Sequence, residues 1–229
     1  MAAAPDDTLP AEAEPRPRGG RRLRLALGVG ALFAGAALLS NIVLELPYLV
    51  VLGSGALALA VGLGVAMVRT DALGRRVVGR IALVGAISGL VATVAYDLSK
   101  WGLSQLDPTP INPFEALPVF GQLVLGPEAP PDLLWRLGIG IHVLNGVTFG
   151  IAFAFLLGGR GVPAGIAWGL GLELFQLTLY PGWLGIDAFA EFATISAGGH
   201  LVYGAVLGGL EGRLRRVALG PLVRERSIR

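Results

Sequence analysis

Six stretches of about 20 residues run through this chain almost without charge, near 25–44, 48–68, 81–103, 135–157, 162–183 and 188–210. A helix of about 20 apolar residues crosses a hydrocarbon core, and in lipid each backbone polar group must be satisfied within its own segment or barrel. The pattern predicts an all-α membrane protein, a six-transmembrane-helix bundle over 25–210. The composition agrees: 54% of the 229 residues are hydrophobic and 15% charged, against about 45–50% and 25% in average soluble domains. The spans, loops and tails use up the length, which leaves no room for a sizeable separate soluble domain. The absence of cysteine excludes a disulfide framework, an iron–sulfur cluster, a thiolate zinc site and a cysteine nucleophile.

The basic residues set the expected orientation. Arginines 16, 18, 21, 22 and 24 precede the first run, and Arg69, Arg75, Arg76 and Arg80 follow the second. Arg160 follows the fourth, and Arg213, Arg215, Arg216, Arg224, Arg226 and Arg229 follow the sixth. Only Lys100 and Arg136 lie elsewhere, so the positive-inside rule gives an N-in/C-in topology. Residues 1–24 read as a disordered cytoplasmic tail, acidic and Pro/Ala-rich and then basic, and the long acidic leader favours a retained anchor over a cleaved signal. Residues 211–229 read as a basic cytoplasmic tail. Topology and anionic lipid explain these arginines, so the lipid bilayer is the expected partner and nucleic acid is not. The opposite face is acidic, with Glu45, Asp107, Glu115, Glu128, Asp132, Asp187 and Glu191.

A Pro-rich extracytoplasmic loop is expected over about 104–134, which holds seven of the fifteen prolines. Within it, residues 114–125 are apolar but, at about 18 Å as a helix, too short to span. They either lie on the outer surface or dip in as a re-entrant lid. Glycines spaced by four (Gly85 and Gly89; Gly146 and Gly150; Gly161, Gly165 and Gly169; Gly204, Gly208 and Gly212) let helix backbones approach closely. They suit either a compact bundle or a homo-oligomer interface.

Polar side chains inside the runs are costly and therefore informative. Thr93, Asp97, Lys100 and Ser104 share one helical face; so do His142, Asn145 and Phe149, then Glu173, Gln176 and Tyr180, then Ser196, His200 and Tyr203. Counted at about 1.5 Å per residue from the outer ends, these groups share the outer half of the membrane. A polar pocket of Asp97, Lys100, His142, Asn145, Glu173, Gln176 and His200 is expected. Lys100 is the only lysine beside seventeen arginines, which points to a use for its compact, titratable amine.

Three readings fit. Histidines beside carboxylates can relay protons or handle a small solute. Alternatively His142, Glu173 and His200 hold a divalent metal in a membrane-embedded enzyme acting on a lipid-like substrate; otherwise no cofactor is expected. In the third reading the polar groups are interhelical hydrogen-bond glue, including an Asp97–Lys100 pair, in a packing subunit without chemistry. No GxSxG, Walker loop, HExxH or strand-linked GxGxxG occurs.

The segments Ser99–Gly102 (SKWG) before the Pro-rich loop, His142–Gly146 (HVLNG), Leu172–Phe175 (LELF) and Gly199–Gly204 (GHLVYG) resemble the YagU-like family of bacterial inner-membrane proteins. That family usually carries an acidic residue just before the last-helix histidine, where this chain has Ser196. The resemblance implies an inner-membrane location and a link to acid tolerance.

Overall fold

The computed structural model describes residues 18–106, 112–185 and 188–227, and among these there is no strand. The helices are α1 (Arg18–Gly30), α2 (Phe33–Leu44), α3 (Tyr48–Arg69), α4 (Ala72–Ser104), α5 (Ala116–Leu125), α6 (Pro131–Leu156), α7 (Gly161–Leu184) and α8 (Phe189–Ser227). Five of these (α3, α4, α6, α7 and α8) are long and apolar enough to cross a membrane, and α1 with α2 makes a sixth if taken as one span bent by 47°. This is a multi-pass membrane protein. Much of its outer surface is apolar, with exposed Val50, Leu57, Val68, Leu98 and Leu174, as a lipid-facing surface requires.

Three boundaries differ from expectation. The first apolar run is broken at Ala31–Leu32, beside Gly28 and Gly30 in a stretch of weak helix propensity. Helix starts at Arg18, so the tail boundary at residue 24 is corrected. The arginines are compatible with helix here, and burial of Leu27 against Val78, Ile81 and Phe155 ties α1 down. The segment after residue 210 is likewise helical as far as Ser227, because Glu211 and Arg215 are drawn inward onto the turn between α6 and α7. The earlier acidic residues of the N-terminal tail, and Asp107 and Asp187, lie outside the described residues.

α4 lies between α6 and α8, and α8 packs in turn on α7. Two seams of glycine bring the backbones together. A Cβ on Gly85 or Gly89 of α4 would meet the backbone of Gly150 or Gly146 on α6. A Cβ on Gly165 or Gly169 of α7 would meet Gly204, Gly208 or the His200 carbonyl on α8. Gly212 lies outside the seam. α4 is started by Asp71, whose carboxylate accepts from the Gly74 amide at 2.8 Å, and α6 by Pro131 in its first turn.

α5 does not lie across the helix ends. Leu117 packs on Gly138 and Gly121 on Leu134, an antiparallel register along the first turns of α6. Gly138 is seven residues beyond Pro131, about 10 Å along the axis, so α5 begins that far along α6 and runs back toward its first turn. Leu117 and Phe120 bury against Tyr48, Leu38 and Ile141, and the Phe120 ring stacks on Trp183, centroids 6.1 Å apart.

Candidate functional site

The four polar stripes converge on one pocket. Its walls include Thr93, Asp97 and Lys100 from α4, His142, Asn145 and Phe149 from α6, Gln176 and Tyr180 from α7, and His200 and Tyr203 from α8. The segment leading into α5 adds Asn112, Phe114 and Glu115. The cavity volume is about 110 Å³. Its position follows from the fold: the glycine seams set α6 tight on α4 and α7 tight on α8, and residues 112–117 add a further wall.

Inside, the acids and imidazoles form two pairs. His142 Nε2 lies 2.9 Å from Asp97 Oδ1, linking α6 to α4. His200 Nδ1 lies 2.6 Å from Glu173 Oε2, linking α8 to α7, and 3.1 Å from the Ser196 carbonyl one turn back. Glu173 is buried behind His200; the Ser196 hydroxyl donates to the same Oε2 at 2.7 Å, and Gln176 Nε2 donates to Ser196 Oγ at 2.7 Å. The acid that serves the last-helix histidine therefore comes from the neighbouring helix in direct contact, with the Ser196 hydroxyl as a second partner of the same oxygen.

Tyr96 stands between the pairs. Its ring centroid is 4.8 Å from that of His200 and 5.9 Å from that of His142, and it makes an edge contact with Tyr203 at 6.5 Å. Lys100 Nζ lies over the same ring, 5.1 Å from the centroid, a cation–π geometry. The expected pairing of Asp97 with Lys100 is corrected: Asp97 is held by His142, and Lys100, though buried, has no ion pair among the described residues. Asn145 Oδ1 and Glu173 Oε1 are buried without a hydrogen-bond partner among the described residues, which marks the pocket as unfinished in polar terms.

No group of three His, Asp or Glu side chains able to share an ion occurs among the described residues. The trio His142, Glu173 and His200 is divided, because His142 is paired with Asp97 and not with Glu173. What the arrangement can do is exchange protons within each pair and present a cation, an amide and two imidazole edges to a small guest.

Sequence reasoning missed Tyr96 and the loop residues. Tyr96 was within reach, since it follows Thr93 by three and precedes Lys100 by four, which puts it on the same face. Phe114 and Glu115 carried no such signal, because their place depends on how α5 packs along α6.

Comparison with protein-family models, curated proteins and solved structures finds no match to this chain.

Proposed function

We propose that the protein is a six-span bacterial inner-membrane protein, with both termini cytoplasmic and the Pro-rich loop outside, whose outer-half pocket takes up and releases protons in the service of acid tolerance. The orientation rests on the separation of arginines from acids along the chain. The broken helix pair α1–α2 counts as one span, which puts the arginine-bearing ends of α1 and α8 on one side. Close glycine seams hold the bundle where lipid supplies no hydrophobic drive between helices.

The observation that carries the proton reading is the pairing of both histidines of the chain with carboxylates, at 2.9 and 2.6 Å, on either side of Tyr96 in a single pocket. Histidine changes charge near neutral pH, and a carboxylate in contact offers the proton a second seat. Intramembrane ionisable groups facing a shared cavity are the usual apparatus of proton relays.

The test follows from having two histidines only. In nanodiscs, ¹⁵N-histidine NMR gives two imidazole signal sets, assigned by His142→Ala and His200→Ala. The titration midpoint of each histidine is expected to move when the other is removed. Two imidazoles that titrate identically with and without each other would refute a shared proton-handling unit.

A further inference from the structure

A second, larger cavity opens beside the polar pocket. Its volume is about 510 Å³, within the roughly 300–1,000 Å³ of small-molecule sites. α2 forms one wall with Leu32, Leu38 and Leu39, and α7 the other with Trp168, Leu172 and Phe175. The neighbouring α7 side chains Leu170 and Leu174 are exposed, so the mouth faces the hydrocarbon. The inner end is shared with the polar pocket through Asn145, Phe149, Leu172, Gln176, Tyr180 and His200. An occupant entering from the bilayer thus passes from an apolar channel straight to polar side chains.

We infer that this groove holds the chain of a long-chain fatty carboxylate, whose head group lies in the polar pocket against Lys100. The chain half follows from the apolar lining and its lateral opening. The head half follows from Lys100, a buried cation on the pocket wall that has no ion pair among the described residues. Trp168 Nε1, an N–H donor, is buried and unpartnered along the channel. Size and charge choose the head. The polar pocket is small, and Asp97 and Glu115 share its wall with Lys100, so a compact single charge fits better than a doubly charged phosphate. The inference goes beyond proton exchange, since it uses Lys100 and the groove and needs no change in either histidine pair.

Gly171 supplies the decisive variant. It lines the groove, and a Cβ built on it meets nothing within 4 Å, so the side chain of Gly171→Leu starts from open space at the channel wall. The experiment measures binding of oleate, oleyl alcohol and oleoyl lysophosphatidate to the purified full-length protein by native mass spectrometry and by displacement of a fluorescent fatty acid. Oleate is expected to bind stoichiometrically. Gly171→Leu is expected to weaken it about tenfold, the effect of withdrawing two methylenes from apolar contact. Lys100→Gln is expected to weaken it by about tenfold or more. Melting temperature and detergent-extracted size should be unchanged in Gly171→Leu, which separates blocked binding from misfolding. Equal binding of the alcohol would overturn the role of Lys100, and equal binding of the lysophosphatidate would overturn the carboxylate assignment. Oleate binding unaffected by Gly171→Leu, or a dimer that this substitution converts to monomer with no lipid bound, would overturn the groove assignment.

Discussion

Replacing Glu211 by alanine should destabilise the fold severely, although this residue lies where the sequence reads as a basic tail. Its carboxylate is fully buried. One oxygen accepts from the Gly159 amide at 2.9 Å and the other from Arg215 Nε at 2.5 Å. Arg215 also donates to the Ala154 carbonyl, one of the free acceptors at the C-terminal end of α6, where a cation is favoured by the helix dipole. The turn between α6 and α7 is shaped to admit this clamp: Gly159 has a φ of +82°, and a side chain on Gly158 would collide with the guanidinium. Removing one partner of such a pair leaves a buried charge uncompensated, at a cost of about 3 kcal/mol. The assay is equilibrium unfolding in mixed micelles titrated with dodecyl sulfate and followed by tryptophan fluorescence. Glu211→Ala and Arg215→Ala should each lose about that amount, and the pair together little more, because the second removal deletes a group already orphaned. Glu211→Leu with Arg215→Met should recover most of the loss. A single-variant cost under about 1 kcal/mol, or strictly additive costs, would refute the reasoning.

Gly150→Val should push α4 and α6 apart, since its side chain would meet the backbone of Gly85 and Gly89; an expected loss of about 1–3 kcal/mol is read in the same unfolding assay. The equivalent change at Gly140, whose Cβ would meet nothing, should be nearly silent. Orientation is checked by single cysteines in a chain that has none of its own: Glu128→Cys, in the exposed turn before α6, should react with an impermeant thiol reagent from the periplasmic side. Arg160→Cys, exposed between α6 and α7, should react only after permeabilisation, and the reverse pattern would invert the topology. Phe120→Ala should loosen α5 from Tyr180 and Trp183 at a cost of about 3–5 kcal/mol if the site does not collapse, seen as faster proteolysis within residues 112–130.

How much of this was legible in the sequence depended on whether the signal was local. Long apolar runs state their own helix, so α3 and α7 fall where the hydropathy places them. The helical spacing of Thr93, Asp97 and Lys100, or of His142 and Asn145, states which side chains share a face, and burial then turns those faces together. Partner choice was not local. Asp97 three residues before Lys100 suggested a pair within one helix, yet His142 on α6 reaches Asp97 first, because the glycine seam brings α6 so close. Arg215 among tail arginines looked like a topology marker, and only the turn beneath it, with Gly158 and Gly159, reveals a buried role. The place of α5 is likewise set by neighbours, Leu117 against Gly138 and Gly121 against Leu134, which no window of sequence contains.

The claim that the paired histidines move protons is decided by proton flux. Purified protein is reconstituted into liposomes that enclose a pH-sensitive dye, a pH gradient is imposed with the membrane potential clamped by potassium and valinomycin, and the internal pH is followed. The wild-type chain should dissipate the gradient faster than empty liposomes. His142→Ala and His200→Ala should each bring the rate back to that of empty liposomes, while the groove variant Gly171→Leu keeps the wild-type rate. Wild-type liposomes that hold the gradient as long as empty ones, or histidine variants that dissipate it as fast as wild type, would contradict the proton-handling reading.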